Sequence, residues 1–199
     1  MKDKCIHSCK KHSYLVGCKQ EVMKVKKLMI FVGIITVFCL YSIFSNEMGF
    51  RKMATAEGRQ DVVSEKFKGA VITSEKEVEG YIISTFEVKD EHGYAVFMPV
   101  AEGKYKYQTK SSIREKGQLV HGLLDIPEGN SYEFYICGDE KIEYLEVTIR
   151  DTYTGGLLQN EQISLEDSCI AVLKRDPVVW AWQTDVIGYD AEGNAYELA

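Results

Sequence analysis

The chain has 199 residues, a formal net charge of −6, six cysteines and four histidines. That length leaves room for one ordinary folded core, and the sequence contains no low-complexity tract or solenoid period. The acidic balance repels phosphate backbones, so no nucleic-acid partner is expected.

The charge is unevenly placed. Residues 1–27 hold eight Lys and two acids, a balance of +6. Residues 28–44 carry no formal charge, which leaves 16 bases and 28 acids, a balance of −12, for residues 45–199. Within the basic tail, Cys5, His7, Cys9, His12 and Cys18 make a metal-like mixture, but their spacing fits no zinc pattern. The tail reads as disordered, with free thiols. Met23-Lys24-Val25-Lys26-Lys27 would serve as a conventional start, so Met1 and Met23 are both admissible first residues.

The run Leu28–Asn46 (LMIFVGIITVFCLYSIFSN) follows three lysines. As a helix, its 19 residues reach about 28 Å, the thickness of a bilayer core. Apolar side chains stand on every side, with no amphipathic stripe, so a transmembrane helix over 28–46 is expected. A signal peptide shares the lysines and the apolar stretch. Against cleavage, the run is long for a signal core, and Ala54-Thr55-Ala56 lies well beyond it, behind Arg51 and Lys52. Cationic loops resist translocation, so the expected topology is a single-pass cell-membrane protein with its N-terminus in the cytoplasm and its C-terminal domain outside. Gly33 stands alone, which gives no G-x-x-x-G pair for helix dimerisation.

Residues 47–67 are polar without a clear period and read as a juxtamembrane linker. Residues 68–199 then form the domain, and its pattern is β. Ile82, Phe86 and Val88 share one parity. Phe134 and Ile136 alternate with Glu133, Tyr135 and Cys137, while Ile170 and Val172 alternate with Cys169, Ala171 and Leu173. Leu145, Val147 and Ile149 show the cleanest two-residue period in the chain. Turn residues cluster at Asp90–Gly93, Pro127–Asn130, Gly138-Asp139, Thr154–Gly156 and Asp190–Asn194. Their spacing suits an antiparallel sandwich or barrel better than alternating β and α units. Ser111–Gly117 and Ser164–Asp167 have room for a helical turn each.

The stretch Asp125–Tyr135 carries a Pro-Gly turn followed by alternating aromatics. It resembles the way a strand opens in bacterial immunoglobulin-like modules, where the tyrosine packs at the corner of the sandwich. The resemblance covers about a dozen residues and implies fold alone: an all-β domain with a single antiparallel, immunoglobulin-like sandwich.

Chemistry-bearing residues are sparse. His92 reads as a solvated turn residue and His121 as a sheet residue, and neither has a motif partner. No catalytic residue, cofactor or metal is expected. The acids include Glu140, Glu143, Glu146, Glu166 and Asp167, which read as a solvated face. Asp190-x-Glu192-Gly193-Asn194 resembles half a calcium loop without the remaining ligands. Cys137 and Cys169 are the cysteines beyond the apolar run, and a disulfide between them is a candidate in an oxidising compartment. Tyr105, Tyr107, Trp180 and Trp182 are candidate interface aromatics for a protein or glycan partner. The expected role is a non-enzymatic, membrane-anchored interaction or sensing module of the bacterial envelope. A surface hydrolase acting on wall glycan or peptide, and an accessory subunit of a secretion or division complex, are the alternatives.

Overall fold

The computed structural model describes residues 4–115, 117–127, 130–165, 169–175 and 181–198. The chain divides into two units, Met1–Gly49 and Phe50–Ala199. The first is built on helix α1 (Lys4–Lys52), so the basic tail is helical from Lys4 rather than irregular. Within α1, Leu28–Lys52 is long and apolar enough to cross a membrane, and none of its apolar window is buried against protein. Leu28, Phe31, Phe38 and Phe44 are all exposed. The Thr36 hydroxyl donates to the Val32 carbonyl at 2.9 Å, satisfying that donor inside the helix.

In the second unit the stretch expected as a linker carries structure. Helix α2 (Ala56–Lys66) is capped by Thr55, whose Oγ1 accepts from the Gly58 amide. Its Val63 packs with Met53 and Phe67 onto Ile82, Phe86 and Phe97. Arg59, also on α2, is buried. Its Nε and Nη2 donate to the two Glu75 carboxylate oxygens at 2.7 and 2.6 Å, and its Nη1 donates to the Met53 and Ala54 carbonyls. Burial pushes the Glu75 carboxyl up, but the hydrogen bonds from Arg59 and Ser84 and the Arg59 charge outweigh it and hold the group below its ordinary value.

Among the described residues eleven strands follow: β1 (Val71–Val78), β2 (Tyr81–Val88), β3 (Glu91–Ala101), β4 (Lys104–Glu115), β5 (Val120–Asp125), β6 (Ser131–Ile136), β7 (Tyr144–Asp151), β8 (Leu157–Ser164), β9 (Ile170–Arg175), β10 (Trp182–Tyr189) and β11 (Ala195–Glu197). They form three antiparallel sheets, ordered β1-β2-β3-β4, β5-β6-β9 and β11-β10-β7-β8. The expected single sandwich has two sheets, so the observed architecture has one more. The reason lies in β6, which is buried on both faces. Phe134 and Ile136 pack with Tyr81, Ile83, Tyr94 and Val96 of the first sheet. Tyr135 and Cys137 pack with Leu145, Val147 and Ile149 of the third. The sheet β5-β6-β9 is therefore a middle layer, while α2 covers the far face of the first sheet.

Local detail fits this stacking. Gly122 pairs with Phe134, and a Cβ on Gly122 would stand 2.1 Å from the ring, so only glycine admits that ring against the neighbouring strand. The Phe134 ring then meets Tyr94 edge-on, with centroids 4.7 Å apart. In the stretch with room for a helical turn, Ser111–Glu115 is strand instead. β4 runs through Glu115, pairing Ile113 with Gly93 and Ser112 with Tyr94, and the ladder with β3 overrides local preference. At the resemblance to immunoglobulin-like modules, Tyr132 packs against the core between the first two sheets, and its hydroxyl donates to Glu79 at 2.5 Å.

Candidate functional site

Two places in the second unit gather polar chemistry. The first is Glu133, fully buried on the central strand β6. The Tyr135 hydroxyl donates to its Oε2, as does Thr184 from β10 at 3.4 Å. The Nε of Arg175, at the end of β9, stands 3.0 Å from Oε1 as an ion pair, without hydrogen-bond alignment. His121 on β5 stacks on Tyr135 and brings its Nε2 to 3.6 Å from Oε2. Burial alone would raise the Glu133 carboxyl. Hydrogen bonds from His121 and Tyr135, then the charges of His121 and Arg175, reverse this and hold it below its ordinary value. Burial and the adjacent carboxylate push the Tyr135 phenol far up, making it a permanent donor. Glu133 thus holds no proton to deliver near neutral pH. A glycosidase acid needs the opposite shift. The arrangement is a buried lock between the second and third sheets, with His121 as its half-exposed face.

The second place is a cleft of about 500 Å³ between the edge of the first sheet and the loop after β6. Its walls include Glu87, His92, Cys137, Asp139, Glu140 and Cys169. His92 corrects its expected role. It lies in β3, is buried, and its Nε2 donates to the Gln118 carbonyl at 2.7 Å. The pairing Glu87↔His92 carries the strand ladder past the residues that read as a turn, which tightens to Lys89 and Asp90.

Cys137 and Cys169 are brought together: the Cys137 amide donates to the Cys169 carbonyl at 3.1 Å. Both thiols are free, and they point to different partners. The Cys169 sulfur lies 3.6 Å from Thr85 Oγ1, and the Cys137 sulfur approaches the Asp139 carbonyl at 3.9 Å. Burial pushes the Cys137 thiol up; the Asp139 backbone hydrogen bond opposes this less strongly. A protonated thiol is a slow nucleophile. Iodoacetamide should therefore modify Cys137 far more slowly in native protein than after unfolding. Unfolding without reductant tests the bridge as well: two modified cysteines mean free thiols, and two protected ones mean a disulfide.

The aromatics have separate fates. Tyr105 and Tyr107 lie on β4 against the α2-side core. The Tyr107 ring meets Phe97 edge-on and has the Lys66 ammonium 4.6 Å from its centroid. Trp182 opens β10, packs on the core between the second and third sheets, and stacks on Arg175, whose guanidinium carbon is 3.3 Å from the ring centroid. Trp180 lies outside the described residues, as do Glu166 and Asp167.

The chain matches no protein-family model, no curated protein and no solved structure. The reading of its sites therefore rests on their own geometry. Asp190 shows how that geometry decides. Its carboxylate accepts from the Glu192 and Asn194 amides, the Asn194 side chain and the Tyr196 hydroxyl. Both oxygens are committed within the β10–β11 turn, which explains the half calcium loop as a turn. Among the described residues, no group of three or more His, Cys, Asp or Glu is placed to hold a metal. Sequence reasoning missed the Glu133 lock. Its one signal was a lone acid inside the aromatic run Tyr132–Tyr135.

Proposed function

We propose that the protein is a single-pass membrane protein of the bacterial envelope, with its basic end in the cytoplasm and its β domain outside. There the domain acts as a non-enzymatic interaction or sensing module for a protein or glycan partner. The observation that carries this reading is the charge-free span of α1, exposed on all sides and joined to a separate domain. The strongly negative domain and the lysine-rich tail support the orientation. An immunoglobulin-like origin of the module belongs to the same proposal and is supported by the Asp125–Tyr135 hairpin. The hydrolase alternative loses ground because the fully buried carboxylate, Glu133, is held ionised. The accessory-subunit alternative draws support from the β7–β8 hairpin, where Tyr153, Leu157 and Leu158 are exposed.

Reporter fusions at residue 199 test the topology. Activity of a reporter that works only outside the cytoplasm is expected, and activity of a cytoplasmic reporter would overturn it. Cross-linking in intact cells followed by mass spectrometry then separates the roles. One or two stoichiometric membrane proteins point to a complex, and wall fragments point to glycan binding.

A further inference from the structure

Helix α1 runs without a break from Lys4 to Lys52, so the basic tail and the apolar span share one axis. That geometry sorts the lysines by their distance from the span. At a rise of 1.5 Å per residue, Lys24, Lys26 and Lys27 stand within about 6 Å of Leu28 along the axis. Lys19 stands about 14 Å away, and Lys4, Lys10 and Lys11 about 25 Å or more. Even a helix tilt of about 40°, the upper end of the usual range, leaves those three roughly 20 Å from the span. The Debye length at 0.1 M salt is about 10 Å, so only the near group acts strongly on charges at a bilayer surface.

The near group also carries a surplus of charge. Residues 19–27 hold Lys19, Lys24, Lys26 and Lys27 against Glu21, a balance of +3, and no further acid occurs before Glu47. A chain that starts at Met23 keeps Lys24, Lys26 and Lys27 and the same +3. The other end of the helix differs, because Lys52 is paired there with Asp61 at 2.5 Å. Cations gathered directly beside a membrane span are complementary to anionic headgroups, which attract basic juxtamembrane segments over about one Debye length.

We infer that Lys24, Lys26 and Lys27 bind the headgroups of anionic phospholipids, so that α1 carries a shell of negative lipid at its basic end. The inference rests on the membrane reading of α1 and names the class of lipid that this end recognises.

The lipid that the full chain retains tests it. The chain is inserted into liposomes of phosphatidylcholine with about one-fifth phosphatidylglycerol, extracted in mild detergent at 0.1 M salt, and the bound lipids are quantified by mass spectrometry. Phosphatidylglycerol is expected to be enriched at least about threefold over the bulk mixture, and the enrichment should vanish at 1 M salt, where the Debye length is about 3 Å. The triple variant Lys24→Gln/Lys26→Gln/Lys27→Gln should retain lipid at the bulk ratio, while Lys24→Arg/Lys26→Arg/Lys27→Arg should keep the enrichment. Lys4→Gln/Lys10→Gln/Lys11→Gln, which removes as much charge far from the span, should leave it unchanged. The inference is overturned if the wild type retains lipid at the bulk ratio, or if the far variant loses as much enrichment as the near one. Carbonate washing of the same liposomes scores insertion separately. Release of the wild-type chain would overturn both readings, whereas retention without enrichment would overturn this one alone.

Discussion

Arg175→Met is expected to lower the stability of the domain by about 3–5 kcal/mol, the usual result of leaving a buried charge without its partner. Glu133 has no solvent to fall back on, and the Arg175 Nε at 3.0 Å is its full-time cation. Urea unfolding of the domain in the full chain measures the effect as a lower midpoint. The double variant Glu133→Leu/Arg175→Met should recover part of the loss, because it removes both charges together. Full recovery is not expected, since the Tyr135 and Thr184 hydroxyls lose their acceptor. An unchanged midpoint in Arg175→Met would mean that the pair, made between β6 and β9 within the second sheet, does not stabilise the fold.

The same centre sets an acid limit. The folded Glu133 carboxyl lies below its ordinary value, so its ionised form favours the fold. That contribution is complete above the unfolded pKa, about 4.3 for a glutamate, and is lost as pH falls through the lower folded value. Wild-type melting temperature should therefore drop below about pH 4, and Glu133→Gln should show a shallower drop in the same window. Equal slopes would count against the lock.

The second large effect concerns α1. Ile35→Asp combined with Phe38→Asp places two charges near the middle of the apolar span. Each costs about 2.5–3.5 kcal/mol in a bilayer centre, so together they should move the protein out of the carbonate-washed membrane fraction. Retention of the double variant in that fraction would remove the membrane reading of the helix.

The β character of the domain was legible where one face of a strand meets a core and the other meets water. Leu145, Val147 and Ile149 show this plainly, and β7 follows them. Legibility failed where a strand is buried twice. The alternation at β6 was visible, but Glu133, Tyr135 and Cys137 read as the less buried parity because one sequence cannot reveal a third sheet. His92 failed for a related reason. Its neighbours Asp90 and Gly93 carry turn chemistry, while its burial depends on Gln118 and Gly138, brought in by later strands. Ser111–Glu115 contains residues compatible with a helical turn, and only the register with β3 makes them strand. The linker residues 47–67 looked unpatterned because α2 anchors through a few contacts, Val63 and the Arg59–Glu75 pair, rather than through a regular stripe.

The doubly covered middle sheet also governs the order of events during folding. β6 is made before its partner β9, with β7 and β8 synthesised in between. Until β9 arrives and pairs, β6 has β5 on one edge and its other edge carries unpaired backbone groups. Non-local pairing of this kind slows folding and lengthens the life of adhesive intermediates. Newly made chains should thus be most prone to association at this step, and β6 amides should be the last to exchange with solvent once the domain is complete.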